Sequence, residues 1–375
     1  MALPASGYFT AIGRNNLEAK QAQDDILDYI LDNLGIASEA QAKGLALDTV
    51  LMTPAKEAAV IADHGGWPGF KNLIINPNMQ VAQRAAATLS TAWQFGKADR
   101  FAVRSTQTPT SGTITQQTGL SDTISKGASL SIQNISLPGG SLQIRTRLEA
   151  KDVYHLYSGL ASLPFRIYHN FGSTVDTTVY INVATAGSDN WTSQVTRDSR
   201  AIQLASGWST PLVNALSCGE CRSGVEVFID IACGACSGKQ VDLMWLQLEA
   251  GSICTVPEFR PFAAELAMCQ RYFDKSYNIA DAPGTVTLNG CLEQTYRGSN
   301  RFYEQAIEKF KQRMRTSPTV TVYSTQTGAS GKCSDLTNDY TATVQNLSER
   351  GFFIICGYPT ANTEIYWHWA ADAEL

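Results

Sequence analysis

The chain has 375 residues and a formal net charge of −5 from 29 basic and 34 acidic residues. A hydrophobic fraction of 44% is enough to bury sizeable cores, which excludes a disordered chain. Charged residues make up only 17% and no run of Lys or Arg occurs, so we expect no nucleic-acid partner. No stretch of about 18 apolar residues is present, which predicts no membrane insertion.

The cysteines and the amino terminus indicate a reducing compartment. The first residues carry neither a basic region nor a long apolar stretch, so no signal peptide is predicted. The chain has 9 cysteines, and an odd number without a signal peptide argues against a disulfide framework. We therefore expect free thiols, packed as small hydrophobic side chains, in a protein that is assembled in a cytosol.

The amino-terminal region, residues 1–66, is predicted to be helical and to serve in anchoring and oligomerisation. Asn15 and Asn16 can cap a helix that ends at Gly35. Such short helices cannot form a core alone, so their apolar stripe needs a partner. That partner is the β domain of the same chain or, as we predict, the same helix in another subunit. The stripe consists of Leu27, Ile30, Leu31 and Leu34.

Residues 67–262 are predicted to form an antiparallel β-sandwich of the jelly-roll type. Apolar and polar side chains alternate with a period of two in several segments, which is typical of half-buried strands. Glycine-rich turns separate these segments, and many short strands with few helices favour a jelly roll. The clearest alternating segments are residues 142–148, 177–183 and 225–231.

Residues 263–375 are predicted to form a smaller, β-rich domain after a strand over residues 242–248. A helix over residues 263–272 follows Pro257 and Pro261, which keep the connection extended. The whole chain is therefore predicted to be mainly β, with helices at its amino terminus. The remaining predicted elements are strands over residues 284–289, 319–323, 340–344, 351–356 and 364–369, and a helix over residues 302–315.

Several segments resemble, in chain order, those of tailed-bacteriophage fibre and virion structural proteins with a jelly-roll domain. Residues 242–273, DLMWLQLEAGSICTVPEFRPFAAELAMCQRYF, are similar to the family pattern VQLE-G--ATPFE-RP---ELALCQRYY. Residues 72–84 resemble the opening NLLINGDF-VWQRG, with Ala82 where Trp is common. Residues 97–101 resemble -ADRW, and residues 371–375 resemble the usual end, -DAEL.

This resemblance implies a non-enzymatic fibre or spike located on the virion. It implies attachment to other virion proteins of the tail or capsid through the amino terminus, self-association as a homotrimer, and presentation of the β domains to a host surface glycan. Two alternatives stay open. One is a capsid decoration, head fibre or tail adaptor with a purely structural role, and the other is a glycan-degrading tailspike.

A loop at residues 187–191 is the candidate ligand site. Sugar binding in β-sandwiches combines a flat aromatic ring with short polar side chains that reach the hydroxyl groups. The alternative is that the tryptophan begins the next strand and faces the core. The candidate ligand-binding residues are Asp189, Asn190 and Trp191.

No metal, cofactor or catalytic site is predicted. Two pairs of cysteines could supply four zinc ligands, but a strand between them would hold the pairs about 30 Å apart at roughly 3.3 Å per residue. The chain has only 4 histidines and shows no hydrolase, phosphate-binding or dinucleotide-binding motif. The weak zinc candidates are Cys218, Cys221, Cys233 and Cys236.

The predicted seam between subunits can be tested by truncation. Removal of residues 1–66 should reduce the number of subunits in the oligomer, and with it the mass in solution, because the apolar stripe would no longer join the subunits. Light scattering coupled to gel filtration measures that mass. An unchanged number of subunits, calculated from that mass, would place the assembly contacts elsewhere in the chain.

Overall fold

The computed structural model describes residues 70–119, 127–296, 308–357 and 363–375. The predicted amino-terminal helices, with Leu27, Ile30, Leu31 and Leu34, lie outside the described residues. The segment Phe70–Leu375 forms one compact unit. In its described part no helix has both the length and the apolar character needed to cross a membrane.

The fold is mainly β, as predicted. The strands of the first part are β1 Ala87–Thr88, β2 Gln94–Phe95, β3 Ala102–Ser105, β4 Ser111–Thr118, β5 Ala128–Leu137, β6 Leu142–Leu148, β7 Leu160–Pro164, β8 Arg166–His169, β9 Val175–Ala184, β10 Gln194–Leu204, β11 Gly207–Ser209, β12 Leu212–Ser217, β13 Val225–Ile231, β14 Cys236–Met244 and β15 Glu249–Ala250. Those of the second part are β16 Phe273–Lys275, β17 Leu292–Tyr296, β18 Glu308–Lys309, β19 Thr319–Ser324, β20 Lys332–Ser334, β21 Asp339–Gln345, β22 Gly351–Cys356 and β23 Thr363–Asp372. The helices are α1 Ala150–Val153, a 3-10 turn at Tyr154–Leu156, and α2 Phe262–Gln270.

Two six-stranded antiparallel sheets form the predicted jelly-roll sandwich. Sheet A has the order β1-β4-β5-β14-β8-β11, and sheet B has the order β10-β9-β13-β6-β3-β2. Apolar side chains from both sheets meet in one buried cluster, to which Ile132 and Ile167 contribute from sheet A and Val179 and Ile229 from sheet B. A smaller sheet, β12-β7-β15, extends the sandwich.

The register of sheet B confirms the three strands predicted from alternation. Phe228 in β13 lies opposite Arg145 of β6 on one side and Tyr180 of β9 on the other. Val227 and Ile229, one residue away on either side, are each 1% exposed and face the sandwich core. Side chains alternate between the two faces of a strand, so Arg145, Tyr180 and Phe228 lie on the outer face of sheet B.

The predicted strand over residues 242–248 is displaced towards the amino terminus, because β14 spans Cys236–Met244. It ends at Met244 because Trp245 adopts a left-handed backbone conformation, with φ of 54°. The chain then leaves sheet A, and the amide of Leu246 donates to the carbonyl of Pro77 at 3.3 Å. The apolar pattern still predicted burial correctly, since Leu248 is fully buried.

The second part is built around β23, the longest strand of its sheet. β23 pairs with β16 and β17 and also with β19, and it meets β20 at a single register position. Its core contains Trp367 and Trp369, which are both 3% exposed, packed with Phe310 and Phe352. The predicted strands over residues 319–323, 340–344, 351–356 and 364–369 are confirmed.

In this part the predicted strand over residues 284–289 is wrong, and the predicted helix over residues 302–315 is wrong over its described residues. Residues 285–288 form an irregular segment between turns at Gly284 and Gly290, whose φ angles are 88° and 81°. Val286 is 58% exposed, so a strand at this position would bury little apolar surface. In the predicted helix over residues 302–315, the described residues 308–315 form β18 and a bend. There the amide of Met314 donates to the carbonyl of Glu349, which replaces a helical hydrogen bond with a long-range one.

Buried ion pairs connect α2 and β16 to the sandwich. Arg260 donates to Glu265 at 2.7 Å and to the carbonyl of Asn72 at 2.8 Å. Glu149, at the end of β6, accepts from Arg271 at 2.8 Å and from the hydroxyl of Tyr272 at 2.6 Å. The boundary between residues 262 and 263 stays a prediction, while these contacts join both sides of it.

The carboxylate of Glu149 should make the fold sensitive to acid. Burial alone would raise the pKa of Glu149, but hydrogen bonds from Arg271 and Tyr272 outweigh it and lower the pKa from 4.5 to about 2. The stabilisation is complete above pH 4.5 and is lost as the pH falls towards 2. We expect it to amount to about 2 kcal/mol after allowance for solvent screening.

Urea unfolding of the native chain and of Glu149→Gln between pH 7 and pH 2 measures this contribution. The difference between the two free energies of unfolding should shrink as the pH falls, because the native carboxylate becomes protonated. A difference that does not change with pH would contradict the assignment.

Candidate functional site

The predicted ligand residues Asp189, Asn190 and Trp191 lie together in the loop between β9 and β10. Asp189 accepts a hydrogen bond from the amide of Ala150 at 2.8 Å, and the Trp191 ring lies 4.5 Å from the guanidinium carbon of Arg147. Asn190 is exposed, and its side-chain oxygen accepts from the amide of the second residue after it. The side chains of Asp189 and Trp191 therefore make contacts within the end of the sandwich. The ligand role of all three residues stays a prediction.

The four candidate zinc ligands are not brought together. Cys218 and Cys221 precede β13, whereas Cys233 and Cys236 follow it, so the two pairs lie at opposite ends of that strand. Burial raises the pKa of Cys218 to about 12, which disfavours the thiolate that zinc requires. Among the described residues, no group of three or more His, Cys, Asp or Glu side chains could hold a metal ion.

A groove runs across the outer face of sheet B. It has a volume of about 350 Å³. At its centre, Tyr180, Phe228 and Arg145 lie side by side on three neighbouring strands. Trp93, which precedes β2, packs beside them. The lining residues of this sheet B groove are Trp93, Arg104, Arg145, Tyr180, Asn182, Gln194, Thr196, Glu226 and Phe228.

Three aromatic rings line the groove in a continuous row. The ring centres of Trp93 and Phe228 are 6.0 Å apart, and those of Phe228 and Tyr180 are 5.4 Å apart, both in edge-to-face arrangements. All three residues are half-buried. They therefore combine fixed orientations with apolar surface that still contacts solvent, which is the surface an apolar ligand face would cover.

A buried carboxylate fixes the polar part of the groove. Glu226 is 1% exposed and accepts from Arg147 at 2.7 Å and from the side-chain amide of Asn182 at 3.0 Å. Asn182 in turn accepts from the hydroxyl of Thr196 at 2.8 Å. Because every member has a partner, the network holds these polar groups in place before any ligand arrives.

Two further arginines lie against Trp93. The guanidinium carbons of Arg104 and Arg145 are 4.5 and 4.1 Å from the centre of its ring, distances at which a cation is attracted to the ring face. Arg104 also donates to Gln143 at 2.7 Å. Burial, assisted by the neighbouring Arg147, lowers the pKa of Arg145 to about 10, so this side chain remains charged at neutral pH.

A second depression, of about 500 Å³, lies over the carboxy-terminal sheet. Its lining includes Thr319 and Thr321 with Asp372 and Glu374. The ring of Phe273 in this depression is only 5% exposed. The aromatic row and the fixed polar network make the smaller sheet B groove the stronger candidate.

The sequence contained a signal for part of the groove. Tyr180 and Phe228 occupy the outward positions of strands whose other outward residues are mostly polar, such as Asn182 and Glu226. Two aromatic side chains at outward positions of predicted strands indicate a binding face. The sequence contains no such signal for Trp93, because its place in the groove depends on how the segment before β2 packs.

Comparison with known proteins identifies no family for this chain. No family model matches it, and no curated protein matches it. Similar solved structures include a carbohydrate-binding module in complex with β-1,4-galactotriose, which is 9% identical with a TM-score of 0.27. The match covers 48% of this chain and 99% of that chain. A family 11 carbohydrate-binding module from Clostridium thermocellum is 11% identical with a TM-score of 0.27, covering 46% of this chain and 99% of that one.

A phage protein is also among the similar structures. The enzymatically active domain of bacteriophage CBA120 tailspike protein 4 is 9% identical with a TM-score of 0.29, and 48% of this chain covers 21% of that chain. This chain thus spans about a fifth of that tailspike domain. Since all these TM-scores lie below 0.5, the function proposed below depends on the side chains of the sheet B groove.

Loss of the buried carboxylate should damage the groove. In Glu226→Ala, Arg147 and Asn182 lose their acceptor and a buried charge is left unpaired, so we expect the free energy of unfolding to fall by about 3 kcal/mol. Urea unfolding monitored by circular dichroism measures this loss.

Glu220→Ala is the matched control for this experiment. Glu220 also pairs with an arginine, Arg222, but both side chains are 43% exposed, so its removal should leave stability unchanged. Equal stabilities of the two variants would show that the Glu226 network contributes nothing to the fold.

Proposed function

We propose that this protein binds an oligosaccharide along the sheet B groove without chemically altering it. The observation that carries the proposal is the row of half-buried rings of Trp93, Phe228 and Tyr180 beside the fixed side chains of Asn182 and Glu226. Sugar rings present apolar C–H faces edged by hydroxyl groups, so their recognition needs flat apolar surface together with oriented polar groups. The groove offers both on one face of a rigid sheet.

The chemistry of the groove favours binding over hydrolysis. Glycoside hydrolysis ordinarily uses two carboxyl groups about 5 to 9.5 Å apart, one of which must be free to exchange a proton. Glu226 is the one carboxylate among the residues that line the groove, and both of its oxygens accept hydrogen bonds from other side chains. Incubation with a bound glycan should therefore release no new reducing ends.

We further propose that the protein acts on a phage particle, as a fibre or spike that attaches to the host. Support comes from the sequence resemblance carried by residues 72–84, 242–273 and 371–375. Self-association through residues 1–66 would place several grooves on one projection, and multivalency would compensate for weak binding at each groove. Blocking of phage adsorption by the purified protein tests this role, and localisation on the particle without such blocking would favour a structural adaptor or head decoration.

Removal of two rings from the groove should weaken glycan binding. In the double variant Tyr180→Ala and Phe228→Ala we expect the affinity for a glycan selected from an array to fall by at least about tenfold, because each ring supplies stacking surface. Isothermal titration calorimetry measures the affinity, and circular dichroism confirms that the fold is retained.

Tyr154→Ala serves as the control variant. Tyr154 is 62% exposed and lies outside the groove, so its replacement removes an exposed ring without touching the proposed site. Undiminished binding by the double variant would place the glycan site elsewhere on the chain.

A further inference from the structure

The cationic side chains of the sheet B groove are incompletely paired. The nearest carboxylate oxygen to Arg145 is that of Glu226, at 3.6 Å, which is longer than a hydrogen bond. Glu226 already accepts from Arg147 at 2.7 Å and from Asn182 at 3.0 Å. Arg104 gives its Nε hydrogen to the neutral amide oxygen of Gln143. Of these three guanidinium groups, only that of Arg147 is hydrogen-bonded to a carboxylate.

The position of Arg145 makes this imbalance significant. Its side chain is only 13% exposed, and its guanidinium nitrogens reach the solvent of the groove. Charged groups removed from water are normally paired, because an uncompensated buried charge is costly. Among the described residues Arg145 makes no second ion pair, and Asp230 on the same face accepts from Gln143 at 3.3 Å instead.

Contact with Trp93 holds these two incompletely paired cations at the groove. A guanidinium held over a ring face keeps its N–H groups at its edges, where they can form two parallel hydrogen bonds with a planar carboxylate. Arg104 and Arg145 lie on neighbouring strands and contact the same ring, at 4.5 and 4.1 Å. Together they form a preorganised cationic edge beside the apolar surface of Phe228.

We propose that the sheet B groove selects acidic saccharides, with the carboxylate of a uronic acid unit bound by Arg145 and Arg104 beside Trp93. This inference rests on the proposed glycan-binding function and adds the class of glycan to it. The carboxylate supplies the counter-charge that Glu226 cannot, while the sugar ring packs on the aromatic row. Sulfate and phosphate esters are other saccharide oxyanions, and we choose the carboxylate because the planar guanidinium matches it with two parallel hydrogen bonds.

A glycan array with matched members tests the proposal on the full chain. Each uronic acid polysaccharide is printed beside its own carboxyl-reduced, neutral form, and sulfated galactans are included. We expect the acidic form to bind at least about tenfold more strongly than its reduced form, with the difference diminishing as salt is added. Equal binding of the two forms, or preference for sulfated galactans, overturns the carboxylate assignment while leaving glycan binding intact.

Two variants then test whether Arg145 binds the carboxylate of the glycan. Arg145→Gln should reduce the ratio of acidic to reduced affinity by at least about tenfold, because the bidentate contact is lost. Arg313→Gln, which removes one positive charge from a side chain 69% exposed outside the groove, should leave the ratio unchanged. An unaltered ratio in Arg145→Gln overturns the proposal, and failure of the native chain to bind any glycan overturns both this proposal and the proposed function.

Discussion

The registered pairing of β6, β13 and β9 is the constraint on which the rest of the structure depends. These strands bury Ile144, Ile229 and Val179 against sheet A, and the same pairing aligns Arg145, Phe228 and Tyr180 on the other face. A strand shifted by one residue would exchange its two faces, exposing the apolar set and burying the polar one. The core therefore fixes the groove, because both follow from the same period of two.

Several charged groups on the outer face of sheet B are largely covered. Glu226 is almost completely covered, and the neighbouring arginines stack on aromatic rings, Arg147 on Trp191 and Arg145 on Trp93. Covering charged groups in this way costs solvation free energy, and the packing of the sandwich core does not require that these groups be covered. The proposed glycan-binding role would account for that cost, since groups that are oriented before binding lose little entropy when a ligand arrives.

The carboxy-terminal sheet is joined to the sandwich by ion pairs that the chain order alone does not suggest. Glu374, next to the last residue, forms ion pairs with Arg84 and Arg100 at the opposite end of the described chain. Arg100 also stacks on the ring of Tyr272, whose hydroxyl bonds Glu149. These contacts make the segment Phe70–Leu375 one compact unit and hold the end of β6, and with it one end of the groove.

The sequence by itself determined the β class, the alternating strands of sheet B and the helix before Phe273, because a period of two or 3.6 is a local property of the chain. It failed at residues 284–289 and 308–315, where the backbone conformation depends on which distant carbonyl or apolar surface is available. The outward rings of Tyr180 and Phe228 could be recognised from alternation. Only the tertiary structure joined them to Trp93, Arg104 and Glu226, because contacts between strands far apart in sequence are decided by sheet order and register, which local patterns do not encode.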